Sequence, residues 1–569
     1  MKNKFKEQIN RVPLGFYSEL LRLHKINSKK IQQLLRRFPR NNNSLYARDE
    51  LLRDYDYYSQ NDLVTFKKEI ADELRLKPTR TISGVTPVSL LTKPYPCPGK
   101  CIFCPNDINM PKSYITSEPG AQRAARNAFD PYLQTYNRLL ALQNIGHTVE
   151  KVELIILGGT WSSYPLNYRL WFLTRCFQAL NDFPHKDDRP QKQSMLPDDL
   201  QMQIAQNYNQ EVKILDDVNG RDSWEDLFQQ QQLNENAKCR NVGLVVETRP
   251  DVVNIMEIRN LRKMGVTKIQ MGIQSLNNEI LESNKRGTSI DIIKNAVNLC
   301  RRAGLKIHLH WMPNLYKATP EIDKADYLKI WELLQPDELK IYPTSVIKGT
   351  PLYDLYKKGA YKPYEAHELN DLLAYCLIHT PLYCRLSRII RDIPSNQIAA
   401  GNKVTNLRQT IEQYLINKGT PCRCIRCREI RGKKVNIADL QLNILEFKTN
   451  VGNEYFISYD LKSQDKVAGF LRLFLSDNNA LQGEISPELN KAAIIREVHV
   501  YGKALGIGEL SSDKAQHLGL GRRMIVKAEK IALNNGFNKI CIISAIGTRA
   551  YYSKLGYSLE GTYMVKSLN

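Results

Sequence analysis

Five apolar segments, Val152–Leu157, Val242–Glu247, Lys268–Ile273, Lys306–Trp311 and Leu339–Tyr342, punctuate the middle of this 569-residue chain, and the later intervals are each long enough for a helix. Strands that alternate with helices pair in parallel as βαβ units. The fold class that follows is α/β, a partial or closed (β/α) barrel with functional groups at the C-terminal ends of its strands. Residues 181–238 break the rhythm with a polar stretch that includes Asp187-Asp-Arg-Pro and the run Gln229–Gln232. Too polar to build a core, this insertion reads as a partly disordered surface excursion.

Just before the strands stands Lys93-Pro-Tyr-Pro-Cys-Pro-Gly-Lys-Cys-Ile-Phe-Cys-Pro. The thiolates of Cys97, Cys101 and Cys104 suit three irons of a 4Fe-4S cluster, leaving the fourth iron open to chelate S-adenosylmethionine. The competing reading is a zinc knuckle. It lacks a fourth ligand, because no Cys or His follows Cys104 until His147. At the strand ends, Gly158-Gly159-Thr160 offers bare backbone to the amino group of a bound S-adenosylmethionine, and Glu247 and Gln274 end successive strands. Each alone reads as an ordinary turn or N-cap; their recurrence after a cluster loop is the signal.

A formal charge of +22 and a pI near 9.3 point to a polyanionic partner. Residues 1–50 hold 12 Lys+Arg against 4 Asp+Glu, on what reads as short helices. A second basic run is Arg423, Arg426, Arg428, Arg431, Lys433 and Lys434. No stretch suits a signal peptide or a membrane span, so a cytoplasmic protein is expected. Twelve cysteines, several in C-x-C and C-x-x-C spacing, fit metal binding in a reducing compartment. Cys422, Cys424 and Cys427 form a second metal candidate suited to zinc, with His379 and Cys384 as upstream options for a fourth ligand.

After about residue 435 the pattern changes to antiparallel alternation at Tyr455–Tyr459, Val467–Leu475 and Ala492–Tyr501, then a helix over Leu520–Asn534 and a strand at Lys539–Ser544. This reads as a separate α+β domain. Gln516-His-Leu-Gly-Leu-Gly-Arg-Arg opens its helix, and backbone N–H groups there form a cradle for a pyrophosphate.

The order of strand, glycine loop and Gly547-Thr-Arg-Ala-Tyr-Tyr-Ser-Lys-Leu-Gly resembles a GNAT acetyltransferase. That resemblance implies acetyl-CoA held by the main chain of Glu497, Val498, His499 and Val500. It also implies a diphosphate grip within Gln516–Arg523, by Gln516, Gly519, Leu520, Gly521, Arg522 and Arg523, and it puts Tyr552 near the thioester sulfur, where a tyrosine can act as catalytic acid toward the leaving thiolate or simply pack on the cofactor. With Arg80-Thr-Ile-Ser-Gly-Val, Phe129-Asp-Pro-Tyr-Leu, Glu247-Thr-Arg-Pro-Asp, Gly272-Ile-Gln-Ser, Lys340-Ile-Tyr-Pro-Thr and Arg391-Asp-Ile-Pro, the chain resembles the radical S-adenosylmethionine superfamily. Within it, the likeness is to the family of the catalytic subunit of Elongator, over about residues 60–569.

The resemblance implies a basic helical tRNA-binding region (1–80), a radical S-adenosylmethionine barrel (81–380), a zinc-binding linker (381–434) and a GNAT domain (435–569). It assigns Lys151 to acetyl-CoA binding. It implies an enzyme that takes hydrogen from the acetyl methyl group by S-adenosylmethionine radical chemistry and builds 5-carboxymethyluridine at the tRNA wobble position. An electron donor and the anticodon stem-loop would be its partners, and the sequence implies no accessory subunits. Cys104-Pro-Asn stands where the family commonly has Cys-Pro-Gly-Gly. The alternatives are a protein lysine acetyltransferase and a non-catalytic tRNA-binding scaffold.

Overall fold

The computed structural model describes residues 11–23, 26–40, 44–75, 81, 83–105, 107, 109–183, 223–431, 435–501 and 519–568. Gln516, Arg80, Lys433, Lys434 and most of the polar insertion lie outside them.

Four helices open the described chain, Leu14–Arg22, Ser28–Leu35, Arg48–Gln60 and Lys68–Leu74. Asn27 caps the second by accepting from the Lys30 N–H. Their apolar faces close on Phe16, Tyr17, Leu20, Ile31, Leu51, Tyr55 and Ile70, all fully buried. Buried Asp54 ties the start of the bundle down by accepting from the Val12 N–H at 2.9 Å. Lys29, Arg36 and Arg37 stay exposed, so the charge surplus is turned outward.

The first sheet contains β1 (Thr86–Leu91), β2 (Lys151–Leu157), β3 (Arg240–Thr248), β4 (Lys268–Gln274), β5 (Lys306–Trp311) and β6 (Glu338–Ile341). A two-residue β7 (Val346–Ile347) precedes its last strand, β8 (Arg385–Arg388), and pairs with β9 (Ile398–Ala400). The order β1-β2-β3-β4-β5-β6-β8 is parallel throughout. Because β1 and β8 do not pair with one another, the sheet is a half-barrel with an open seam. Period-two alternation gives it two unlike faces. Leu154, Ile156, Val246, Ile269, Leu309 and Leu339 join the core under the helices, whereas Glu153, Lys268, Gln270, His308 and Glu338 face the lumen and bond across it.

The five central strands fall where the sequence places them. The edge strands β1 and β8 were not expected. Pro87 interrupts the first, which an edge tolerates, and Arg-Leu-Ser-Arg has a single apolar residue to reveal the second. The insertion also needs correcting at its C-terminal end. Trp224–Asn234 is a helix with a Ser223/Asp226 capping box, and it buries Leu227, Gln231 and Asn234. Gln231 donates to the Met264 carbonyl at 3.0 Å and Asn234 to the Cys239 carbonyl at 3.1 Å, so the glutamine run is part of the barrel's outer layer.

The second sheet is mixed, in the order β10-β11-β12-β13-β14-β16-β15. Its strands are β10 (Leu440–Thr449), β11 (Gly452–Leu461), β12 (Lys466–Ser476), β13 (Ala493–Val500), β14 (Lys539–Ile542), β15 (Ser558–Glu560) and β16 (Tyr563–Ser567). Helix Leu520–Asn534 packs Met524, Ile525, Ala528 and Ala532 against it. One contiguous core runs from the half-barrel into this sheet through Phe456, Phe470 and Ile494.

Candidate functional site

At the C-terminal mouth of the half-barrel the cluster loop presents Cys97, Cys101 and Cys104, all partly exposed. The Gly99 N–H donates to Cys97 Sγ at 3.4 Å, Thr160 Oγ1 lies 3.5 Å from the same sulfur, and Arg286 Nη1 is 3.9 Å from Cys101 Sγ. Donors aimed at sulfur stabilise thiolate charge. Arg249 braces the loop from below. A Cβ on Gly99 would sit 2.2 Å from Arg249 Nη1, and Arg249 Nη2 donates to the Arg286 carbonyl at 2.8 Å.

The strand-end residues gather at this mouth. Gly158 and Gly159 have φ of 130° and 98°, in the region that favours glycine, and a Cβ on Gly158 would meet Thr92 Oγ1 at 2.0 Å. Glu247 is partly exposed; Tyr114 Oη donates to it at 3.0 Å, and His310 Nδ1 lies 3.7 Å away. Burial raises its carboxyl above the ordinary range. Gln274 adopts φ of 67° and buries an Oε1 without a protein partner. An orphaned acceptor at the end of β4 suits the amino group of S-adenosylmethionine.

The two cysteine sets differ in geometry. Among the described residues, only Cys422, Cys424 and Cys427 bring three candidate metal-ligand atoms within 4.8 Å of one another. Cys424 and Cys427 Sγ are 3.7 Å apart, against ~3.8 Å for a tetrahedral zinc with 2.3 Å bonds. Cys97, Cys101 and Cys104 are more widely set, as a cubane requires. Of the two upstream ligand options, His379 is exposed and stacks on Tyr375, while Cys384 is buried outside the converging set. Glu412 Oε1, by contrast, lies 3.3 Å from Cys427 Sγ. The basic run nearby is largely paired: Arg428 binds Asp460 at 2.8 Å and Asp465 at 2.9 Å, Arg423 binds Asp465 at 2.9 Å, and Arg426 donates to the Ser387 carbonyl at 2.6 Å. Arg423 and Arg428 tie the linker to the second sheet, and Arg426 ties it to β8 of the first.

At the N-terminal mouth of the half-barrel, a cleft of about 340 Å³ separates the two sheets. Glu153, Lys268, Lys306 and Glu338 wall it on one side, and Glu497, Val498, His499 and Tyr552 on the other. β13 pairs with β14 only from Ala493 to Ile495, and the two strands part before Glu497. Gly519, at φ of 66°, starts the following helix, and Gly521 fits against Val498 and Val500. Tyr552 is 8% exposed, and burial holds its phenol protonated at neutral pH. Glu497 is committed to Arg472 at 2.9 Å and to Lys306, which leaves its main chain for a ligand. Lys151 is not on the cleft wall; it shares a face of β2 with Glu153, two residues on.

Buried His308 and His310 and half-buried His499 make the joint between the sheets acid-sensitive. Burial depresses His308 and His310 well below the usual imidazole value and His499 to about 4. The native state therefore refuses protons that the unfolded chain accepts below ~6.5. Stability should be full above that value and fall on acidification by up to ~1.4 kcal/mol per histidine per pH unit. Thermal unfolding at pH 7.5 and 5.5 checks this; equal midpoints would contradict it.

The model of the radical SAM superfamily matches residues 95–322, and that of the radical SAM C-terminal domain matches residues 336–417. A protein of Methanocaldococcus infernus called tRNA uridine(34) acetyltransferase is 37% identical over 519 residues, covering 88% of this chain and 89% of the relative. The Elongator complex protein 3 of Danio rerio is 32% identical over 521 residues, 88% of this chain and 87% of its own. The chain belongs to the Elongator complex protein 3 family. A solved structure of the family, the archaeal Methanocaldococcus infernus Elp3 lacking residues 1–46 of its own N-terminus, superposes with a TM-score of 0.66 at 32% identity, over 86% of this chain and all of that one.

As a radical SAM protein of the Elongator complex protein 3 family, the chain uses a 4Fe-4S cluster and S-adenosylmethionine. The cysteine loop, with its orphaned acceptor and sulfur-directed donors, fits both. Sequence reasoning missed Arg249, Arg286, Tyr114, His310 and Lys340, which surround the mouth from distant segments. Lys340 had only its place in Lys340-Ile-Tyr-Pro-Thr to mark it. Burial lowers its ammonium to about 8, and it donates to Gln270 at 2.5 Å.

Proposed function

We propose that this protein is a tRNA-modifying acyltransferase that attaches a carboxymethyl group, derived from acetyl-CoA, to C5 of the wobble uridine. The observation that carries this reading is the stacking of two unlike sites on one half-barrel. A three-cysteine loop crowns one mouth, and a splayed acetyltransferase sheet closes the other. Cys97, Cys101 and Cys104 would hold the cluster, with Gly158, Gly159, Thr160, Glu247 and Gln274 around S-adenosylmethionine. When bound, the cluster supplies an electron for reductive cleavage of S-adenosylmethionine, so an external one-electron donor is needed.

The remaining work falls to the chain's own groups. The backbone of Glu497–Val500, beyond the last β13–β14 pair, would hydrogen-bond the pantetheine amides, and Gly519–Arg523 would hold the diphosphate at a helix start. Tyr552, kept protonated by burial, can donate to the thiolate that leaves on thioester hydrolysis. Cys422, Cys424 and Cys427 would hold zinc. The outward-facing cations of the N-terminal bundle suit the phosphates of an anticodon stem-loop, whose single-stranded bases can be splayed into a pocket. No helix among the described residues is long and apolar enough to cross a membrane, and a tRNA substrate is met in the cytoplasm.

The test is a single anaerobic reaction of reconstituted protein with S-adenosylmethionine, dithionite, acetyl-CoA and tRNA. It is expected to give 5′-deoxyadenosine and a nucleoside heavier by a carboxymethyl group. Bound tRNA with neither product would sink the reading. Acetylated lysines formed without S-adenosylmethionine would replace it with a protein acetyltransferase.

A further inference from the structure

The lumen of a (β/α) barrel is ordinarily filled by layers of branched apolar side chains. Here it is not. Lys268, Gln270, His308, His310 and Glu338 are between 3% and 7% exposed, yet all face the lumen and bond one another. Lys268 Nζ lies 2.7 Å from Glu153 and 3.6 Å from Glu338, and Lys306 Nζ lies 2.7 Å from Glu338. Above that floor, His308 Nδ1 is 3.2 Å from Glu338, and His310 Nε2 is 3.1 Å from Gln270. Burying such groups costs stability that an apolar filling would not.

The opposite wall is accessible. On the lumen face of β1 and β2, Pro87, Ser89, Glu153, Ile155 and Leu157 are all partly exposed, while the intervening Val88, Val152, Leu154 and Ile156 are buried under helices. Strand register sets Pro87 beside Glu153, Ser89 beside Ile155 and Leu91 beside Leu157. This stripe begins at Pro87 and Glu153, which line the cleft, and ends at Leu157, next to Gly158 at the cluster mouth. From Lys306 to His310 the two mouths are ~13 Å apart along the strand.

We infer that the lumen is the passage along which the thioester end of acetyl-CoA travels from the cleft to the cluster mouth, with the Lys268–Glu338–Lys306 ion pairs as its floor. The inference rests on the acetyl-CoA reading above. A carbon that reacts with a group made at the cluster must come within contact of it while its sulfur is still joined to an arm anchored at the other mouth. An extended pantetheine arm has the length for this. Its methylenes would lie on Ile155 and Leu157, and its amides would face the polar wall. The floor can part because Lys268 and Lys306 carry their charges on long flexible stems.

Disulfide exchange with CoA disulfide maps the arm's reach, since attack of a protein thiolate leaves CoA joined at that position and releases one CoA thiol. In the cluster-loaded full chain, Ser89→Cys and Ser387→Cys place a thiol in the lumen, and Thr548→Cys places one in the cleft. Native Cys176 and Cys300, buried on outer helices, are internal controls. Peptide mass mapping is expected to find CoA on all three introduced thiols, and on the lumen pair about tenfold faster than glutathione from glutathione disulfide, because the anchored arm raises the local concentration. Either lumen position alone suffices if the other variant fails to fold. Labelling at Thr548→Cys without the lumen overturns the passage. Equal rates with glutathione disulfide also overturn it, by showing a solvent path. No labelling at any of the three overturns the acetyl-CoA reading itself, and the passage with it.

Discussion

Cys101→Ala is expected to leave a folded, tRNA-binding protein that forms no 5′-deoxyadenosine, a loss of about three orders of magnitude or more. Of the three loop thiolates it is the central one, and Arg286 points Nη1 at its sulfur. Removing it leaves two ligands for a cluster that requires three protein thiolates to hold its open iron, and the buried guanidinium loses its anion. Iron content and the visible absorption of the reconstituted protein should fall together with turnover. Acetyl-CoA binding should not change, because the cleft lies at the opposite mouth of the half-barrel. The thermal midpoint should move little, since the loop is partly exposed and outside the main core. Retained iron together with retained 5′-deoxyadenosine would show that the cluster is held elsewhere.

The largest stability effect is expected at Asp337, which joins the two sheets. Its carboxylate is 1% exposed and accepts from Arg496 Nη2 at 2.6 Å and from the Ile307 N–H at 2.7 Å, with Arg472 Nη1 3.4 Å away. Burial alone would raise this carboxyl, but Arg496 and Arg472 hold it far below the ordinary carboxylate range. Its contribution is therefore present above the ordinary carboxylate value and lost as pH falls toward the depressed one. Asp337→Ala leaves two buried guanidiniums short of a counterion and should cost about 3–5 kcal/mol. Asp477→Ala, which breaks a pair with Arg302 whose carboxylate is 54% exposed, should cost about 0–1 kcal/mol. The denaturant midpoint of the first unfolding transition separates the two. Equal midpoints would mean that the buried network contributes nothing specific to the joint.

Where a strand is long and central, its pattern was readable. Val152–Leu157 and Lys306–Trp311 stand out because their helix-facing residues are uniformly apolar. Edge strands β1 and β8 escaped because an edge tolerates proline and polar residues, and so the hydrophobic signal is absent. Helix Trp224–Asn234 escaped for a related reason: its buried face uses Gln231 and Asn234, whose amides satisfy backbone carbonyls that composition cannot reveal. The ion pairs of Arg423 and Arg428 escaped because charge is visible in a sequence and its partners Asp460 and Asp465 are not.

Chemistry carried by neighbours in the chain was determined by the sequence alone. Cys97, Cys101 and Cys104 lie within eight residues, so their spacing, read with the strand ends that follow, points to a cluster over a zinc knuckle, and the glycine loop before Leu520, read with the strand before it, points to an anion cradle. Chemistry assembled from distant segments was decided only by the tertiary structure. Arg286 and Tyr114 reach the cluster mouth from two different connections and Lys340 from β6, and the floor of the lumen joins four strands to β13. The reason is physical: a lysine or histidine in a string is as compatible with solvent as with a barrel lumen. Only packing sets its distance to a carboxylate, and with it whether its charge is screened by water or held in place by the fold.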